Sequence, residues 1–163
     1  MQKASISLPI IHLVGITART NLASEMNPVM AKIPLAIGKY FQGGLPAKIA
    51  NRKNPGVTYC VYTNYENDYK GDYTYFIGEE VESFDGVGEG FETLSIPAQA
   101  YAKFTTKSGP MPMVCITAWQ NIWKMSPADL VGERAYIADF EVYDERALNP
   151  QNAILDIYIG LKP

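Results

Sequence analysis

The sequence contains one internal repeat. YTYFIG at residues 73–78 is similar to LDIYIG at 155–160, and aligning the two closing glycines gives an offset of 160 − 78 = 82 residues. The same offset places IGKYF at 37–41 on WQNIW at 119–123. Similarity at a fixed offset indicates a structural unit that occurs twice. We therefore predict a fold built from two similar halves.

Each half has the pattern of a strand, a helix and two further strands. A slightly larger offset places GITART at 15–20 near YAKFTT at 101–106, as the first strand of each half. Apolar spacing predicts helices over IPLAIGKYFQ, which two glycines end, and over MVCITAWQNIWKM, which Pro112 begins and Pro127 ends. The remaining segments are rich in β-branched and aromatic residues and are predicted as strands.

The predicted architecture is one α+β domain over residues 1–163, with pseudo-repeats at about 8–85 and 90–163. One helix over a few strands is marginal by itself, so the two units should share an antiparallel sheet with both helices on the same side. The acidic, glycine-containing segment at 79–92 is the expected joint, and its charges are expected to be solvated.

Composition excludes several classes of function. The net charge is −3, and no run of Lys or Arg forms the basic surface that nucleic-acid binding needs. With one His and two widely separated cysteines, Cys60 and Cys115, buried free thiols in a reducing cytoplasm are expected, and neither a zinc site nor another cofactor is predicted. No stretch is long enough to span a membrane, and the opening apolar run, interrupted by Pro9, is predicted as a first strand rather than a signal peptide.

The segment ADFEVYDE at 138–145 combines an apolar face with a polar one. Strand alternation separates two sets of residues: Tyr136, Ala138, Phe140 and Val142 face the core, and Ile137, Asp139, Glu141 and Tyr143 face the other way. Two explanations stay open for the polar face, namely plain solvation and a site for a cation. Burial would leave Glu141 in need of a partner, which a cationic ligand supplies, whereas Asp139 is expected to be solvated.

These motifs together resemble the GyrI-like effector-binding domain, the small-molecule-sensing module of AraC-type and multidrug-responsive regulators, which also occurs as a stand-alone protein. The matching stretches, from about residue 10 to the C-terminus, are IPAQAYAKFTTKSGP, WQNIW, DFEVYDE and DIYIGLKP. The resemblance implies a duplicated βαββ fold with a ligand cleft between the repeats. It also implies that a strand glutamate at the position of Glu141 meets cationic, aromatic ligands. The chain departs from the pattern at Ile37, where relatives often carry Trp, and at Gly160, where the closing strand often has Pro.

The candidate ligand-binding residues are one carboxylate and the aromatic side chains expected around it. Core packing is the alternative explanation for each aromatic residue, Tyr75 included. His12 is expected to be structural, and Glu66 is expected to lie in a solvated loop. The candidates are Glu141, Tyr143, Trp119, Trp123, Asp139, Tyr65 and Tyr101.

Three functions stay open at this point. The first is a cytoplasmic binding module for cationic or amphipathic aromatic molecules, with a DNA-binding partner or a homodimer left open. The second is a hydrolase of strained, cyclopropane-type electrophiles with Glu141 as general base, since a single His excludes serine or cysteine triads. The third is a protein-binding inhibitor that uses the acidic surface at 79–92.

Overall fold

The computed structural model describes residues 1–163 and contains eight strands and four α-helices. The strands are β1 (Gln2–Leu8), β2 (Ile11–Thr20), β3 (Thr58–Thr63), β4 (Tyr73–Glu80), β5 (Glu92–Ile96), β6 (Gln99–Thr105), β7 (Ala138–Tyr143) and β8 (Asp156–Leu161). The helices are α1 (Leu22–Glu25), α2 (Ile33–Gln42), α3 (Met113–Trp123) and α4 (Pro127–Leu130), and short 3₁₀ turns occupy Pro46–Lys48 and Glu145–Ala147. None of the helices is long and apolar enough to cross a membrane.

All eight strands form one antiparallel sheet in the order β1-β6-β8-β7-β3-β4-β2-β5. The predicted unit of strand, helix and two strands occurs twice, as β2-α2-β3-β4 and as β6-α3-β7-β8. Each unit is preceded by one extra strand that the sequence prediction missed, because Pro9 and Pro97 each divide a stretch that was taken as continuous. The extra strand of each half pairs with the other half, so the two halves exchange their outermost strands.

The strand register confirms the alignment of the two repeats. Gly78 pairs with Gly15, and Gly160 pairs with Tyr101, which are the first residues of GITART and YAKFTT. Gly78 is also required by close packing, since a Cβ there would lie 2.1 Å from the Val14 carbonyl oxygen. The outer limits of the repeats, at 8–85 and 90–163, stay a prediction.

The two long helices lie where the apolar spacing predicted them, with one correction. The first ends at Gly43, and the second follows Pro112, as expected. The second ends at Trp123 rather than at Pro127, which instead occupies the first turn of α4 behind a Ser126 capping box. A proline fits a first helical turn, so Pro127 marks a helix start here.

Both long helices pack on the same face of the sheet, as predicted. The buried residues of α2 and α3 belong to two separate apolar clusters, and both clusters contact Tyr62 and Tyr143. Val61 and Phe140 belong to a third cluster, on the opposite face. Tyr136 does not join that cluster, contrary to the prediction, because β7 begins at Ala138.

Candidate functional site

A cavity of about 670 Å³ lies between the two repeats, on the helix-bearing face of the central strands. Of its 27 lining residues, 19 are hydrophobic, so the space is suited to a largely apolar ligand. The ligand cleft predicted between the repeats is therefore present. Its main contributors are Ile33, Ile37 and Phe41 from α2, Cys115, Ile116, Trp119 and Trp123 from α3, and Thr58, Cys60, Tyr62, Tyr73, Tyr75, Ile77, Glu141 and Tyr143 from the strands.

Glu141 is the charged group at the floor of this cavity, and it is only 2% exposed. One carboxylate oxygen, Oε2, accepts hydrogen bonds from the Tyr62 hydroxyl and from the Trp119 indole nitrogen, each at 2.7 Å. The other, Oε1, accepts a hydrogen bond from the Tyr143 hydroxyl at 2.6 Å. All three donors are neutral, so the carboxylate is solvated by the protein but lacks a positive charge beside it.

The position of Glu141 follows from the pairing of the two repeats at the centre of the sheet. Cys60 of β3 is directly opposite Glu141 of β7, and Val61 is opposite Phe140. Because side chains alternate along a strand, Glu141 and Cys60 face the cavity while Val61 and Phe140 enter the core on the other face. The strand pattern therefore places a carboxylate on the buried, cavity-facing side of the sheet.

The Glu141 charge and the apolar surroundings act on the neighbouring phenols and thiols. Burial raises the pKa of Tyr62 and of Tyr143 well above the ordinary value, and the Glu141 charge adds to both shifts. Burial and Glu141 act in the same direction on the pKa of Cys60 and of Cys115. Both cysteines are free thiols, as predicted; Cys60 is buried, as expected, whereas Cys115 is only partly buried. The phenols thus stay protonated and available as donors, and the thiols stay protonated and weakly nucleophilic.

Asp139 is the second carboxylate on this face of β7, and the expectation that it is solvated is wrong. It is fully buried at 0% exposure and outside the cavity lining. Its Oδ2 atom accepts hydrogen bonds from the Arg134 guanidinium and from the Tyr65 hydroxyl, each at 2.6 Å, and its Oδ1 atom accepts one from the Gly160 N–H at 2.8 Å. The Gly160 N–H is a donor that proline at this position would lack. Asp139 is therefore a paired structural carboxylate.

The predicted aromatic candidates divide into three groups. In the first group, Trp119 and Tyr143 donate hydrogen bonds directly to Glu141. In the second group, Tyr65 and Trp123 line the cavity but have other partners, and the Tyr65 hydroxyl donates to Asp139. The Trp123 ring is stacked on Tyr69 with the centroids 5.5 Å apart. The last candidate, Tyr101, does not line the cavity, contrary to the prediction.

Tyr101 lies on the opposite face of the sheet, where it is 1% exposed and belongs to the third apolar cluster. Its ring packs edge-on against Phe140, and its hydroxyl accepts a hydrogen bond from the Gln99 side chain at 2.9 Å. Core packing, the alternative explanation, therefore applies to Tyr101.

Comparison with known proteins places the chain in a family. The family model described as Cass2, integron-associated effector binding protein, matches residues 6–161. The chain belongs to this family. The predicted identity as an effector-binding domain is thereby confirmed, and the module binds small-molecule effectors.

Two bacterial regulators are similar to this effector-binding chain. YobU of Bacillus subtilis, named as a candidate transcriptional regulator, is 30% identical over 155 residues, which cover 95% of this chain and 94% of YobU. The transcriptional regulator BrlR of Pseudomonas aeruginosa is 33% identical over 129 residues, which cover 77% of this chain and 46% of BrlR. The chain thus corresponds to nearly all of one regulator and to less than half of the other.

Two solved structures share the fold of the effector-binding chain. The integron cassette protein VCH_CASS2 from Vibrio cholerae has a TM-score of 0.77 and 27% identity, with 98% of this chain and 95% of that chain covered. SAV2435, solved bound to tetraphenylphosphonium, also has a TM-score of 0.77, with 17% identity and coverage of 99% and 94%. At 17% identity, the similarity to SAV2435 shows that the two proteins share a fold.

Several residues of this effector-binding cavity were not among the candidates predicted from the sequence. Tyr62 follows Cys60 by two positions and so shares its strand face, a signal that was available from alternation. Arg134 gives no such signal, because it precedes β7 in an irregular segment. The departure at Ile37 has a visible consequence, since the α2 wall is made by residues such as Ile33, Ile37 and Phe41 and by no tryptophan.

The residues that were expected to be structural or solvated lie mostly where predicted. Glu66 is exposed in the loop before β4. His12 bonds the Ser95 hydroxyl through Nδ1 at 2.8 Å and packs edge-on against Phe84, a structural role. The acidic segment at 79–92 is not wholly solvated, since Glu79 is 1% exposed and lies 3.5 Å from the Arg52 guanidinium.

Proposed function

We propose that this effector-binding module takes organic cations with aromatic groups, and that Glu141 supplies the opposite charge. The observation that carries the proposal is a buried carboxylate at the floor of an apolar cavity with three neutral donors and no cationic partner. Burial of a charge costs free energy, and the cost is offset best by an opposite charge. A cationic ligand at Glu141 provides that charge from outside the protein.

The side chains around Glu141 suit an aromatic cation better than a small hydrated ion. The Tyr62 ring lies edge-on to the Trp119 ring, with centroids 5.2 Å apart, so both rings stand beside the carboxylate. Aromatic faces attract cations by up to about 2 kcal/mol when the site is dry, and they also contact the flat groups of a ligand. The tetraphenylphosphonium held by SAV2435 belongs to this chemical class, which supports the proposal.

A matched pair of probes tests the role of charge. Methyltriphenylphosphonium and 1,1,1-triphenylethane have the same shape, and only the first is charged. We expect Glu141→Gln to weaken the binding of methyltriphenylphosphonium by about tenfold or more, because a contact to a charged group is worth about 1.5–3 kcal/mol. The affinity for the neutral probe should stay nearly unchanged. Calorimetric titration of both probes measures this. Equal losses for the two probes would contradict the proposal.

We also propose that the module acts in the cytoplasm and reports ligand binding to a DNA-binding partner, either as a monomer or as a homodimer. The support is the naming of YobU and BrlR as regulators, together with the part of BrlR that the chain does not match. Light scattering with and without methyltriphenylphosphonium gives the oligomeric state. A search for a ligand-dependent complex with DNA-binding proteins of the same cell tests the partner, and a complex indifferent to ligand would contradict a sensing role.

A further inference from the structure

Arg134 is the one basic residue in the wall of the cavity, and its donors are largely unused. Its side chain is 10% exposed and belongs to the cavity lining. Of the five N–H donors of a guanidinium, only one on Nη2 bonds the protein, at 2.6 Å from Asp139 Oδ2. The Nε atom is buried without an acceptor. Because that atom has almost no accessible surface, the donors open to a ligand acceptor are the unpaired N–H groups on Nη1 and Nη2.

Aromatic rings hold the guanidinium in place at this end of the cavity. Its central carbon lies 4.3 Å from the centroid of the Tyr136 ring and 6.0 Å from that of Tyr69. Together with the Asp139 ion pair, these contacts fix the position of the guanidinium and keep it from water. A donor fixed in a dry environment discriminates strongly between ligands that have an acceptor and ligands that lack one.

We propose that Arg134 forms a second polar subsite of the cavity, which binds a neutral hydrogen-bond acceptor, such as a ketone, ester or amide oxygen, on the same ligand whose positive charge lies at Glu141. This inference rests on the proposed function and makes it narrower. The preferred ligand is an aromatic cation that carries a carbonyl group at a fixed distance from its charge.

The charges around Arg134 favour a neutral acceptor over an anion. Arg134 and Asp139 already form an ion pair, so their combined charge is zero. A ligand carboxylate would bring an additional negative charge into a low-dielectric space that also contains Glu141, and the repulsion would cancel much of the gain. A carbonyl oxygen accepts the same hydrogen bond without that cost.

The spacing of the two subsites follows from the strand. Asp139 and Glu141 are two residues apart on the same face of β7, which corresponds to about 6.6 Å along the strand. Because Arg134 is bonded to Asp139, the acceptor and the cation of the ligand should be separated by a similar distance. A chain of four methylene groups between a phosphonium and a carbonyl spans a comparable length.

Three triphenylphosphonium probes of equal size test the subsite. They carry a 5-oxohexyl group with a ketone, a 5-methylhexyl group with no acceptor, or a 4-carboxybutyl group with an anion. By calorimetric titration we expect the ketone to bind the wild-type protein about tenfold more tightly than the 5-methylhexyl probe, the ordinary value of one hydrogen bond to a charged donor. The 4-carboxybutyl probe should show no such advantage. Equal affinities of the ketone and the 5-methylhexyl probe would overturn the inference.

Variants assign the effect to Arg134. Arg134→Met combined with Asp139→Asn removes both members of the ion pair, so neither is left buried without the other, and the ratio of the ketone affinity to the 5-methylhexyl affinity should fall to about one. Asp139→Asn alone is the matched control and should keep the advantage. Should the double variant fail to fold, Arg134→Lys retains the charge beside Asp139, removes the planar fork and should reduce the advantage. An advantage that survives at full size in the folded double variant, or in Arg134→Lys, would contradict the subsite. Failure of the 5-methylhexyl probe to bind the wild-type protein, or its indifference to Glu141→Gln, would instead contradict the proposed function.

Discussion

Asp139 and Glu141 lie two residues apart on the same face of one strand, and both are buried, yet their surroundings differ. Asp139 has a positive charge within hydrogen-bonding distance, from Arg134, and two further donors. Glu141 has three donors, all of them neutral, and it faces the cavity. The protein thus neutralises one of the two carboxylates by itself and leaves the charge of the other uncompensated.

The difference separates a structural charge from a binding charge. The charge of Asp139 is balanced inside the fold, so removing its partner should affect stability. The charge of Glu141 is held in place by hydroxyl and indole donors from both repeats, so a change there should affect mainly the ligand. Tyr62 comes from the first repeat, while Trp119 and Tyr143 come from the second, which places the binding charge at the junction of the two.

The largest expected effect is on the Asp139 side. Arg134→Met alone leaves Asp139 buried without its cation, which should lower the free energy of unfolding by about 3–5 kcal/mol. Adding Asp139→Asn should recover most of that loss. Glu141→Gln should lower the free energy of unfolding by no more than about 1–2 kcal/mol, because the weakened hydrogen bonds are offset in part by removal of a buried charge that has no cation beside it. Urea unfolding of the three variants measures this, and a Glu141→Gln variant as unstable as Arg134→Met would remove the distinction.

A smaller effect is expected from the indole donor. Trp119→Phe keeps an aromatic ring beside Glu141 but removes the Nε1 donor, which should lower the free energy of unfolding by about 1–2 kcal/mol. Trp123→Phe is the matched control, because Trp123 has no hydrogen bond to the carboxylate. Thermal or urea unfolding compares the two. Equal losses would indicate that ring size, rather than the bond to Glu141, determines the effect.

The smallest effect concerns Glu79, a buried carboxylate with an intermediate environment. Its burial raises its pKa, and the Gly56 N–H and the Arg52 guanidinium oppose the rise only in part. The folded state therefore binds the proton more tightly than the unfolded state, so this group's contribution to stability falls as pH rises from the ordinary Glu pKa through the raised one. Unfolding measured from about pH 4 to about pH 8 should show this slope in the wild-type protein and not in Glu79→Gln. The same slope in both proteins would assign it to another group.

The sequence pattern was sufficient for the repeat and for the strand that carries Glu141. Gly78 and Gly160 marked equivalent positions, and alternation along ADFEVYDE placed Glu141 and Tyr143 on one face. The pattern could not identify which side chains bond the carboxylates of Asp139 and Glu141. Arg134 lies in an irregular segment, and its contact with Asp139 exists only in the folded chain, so Asp139 was expected to be solvated.

The sequence alone also could not decide which aromatic residues lie in the core and which line the cavity. Tyr101 and Tyr143 both occur in strands with similar neighbours, and the residue type is compatible with core and cavity alike. The sheet face decides between them, and for Tyr101 that face depends on a register with β8 that its local sequence does not reveal. The exchange of β1 and β5 between the halves was missed for a related reason, since pairing partners across the sheet leave no local mark.

The central claim is tested most directly by measuring how the affinity for one cation changes when the charge of Glu141, or that of Asp139, is removed. Calorimetric titration with methyltriphenylphosphonium would be applied to the wild-type protein, to Glu141→Gln, and to Arg134→Met combined with Asp139→Asn. The account predicts a loss of about tenfold or more for Glu141→Gln and a change of less than about twofold for the double variant. Equal losses in both, or a larger loss in the double variant, would contradict the assignment of Glu141 as the binding charge.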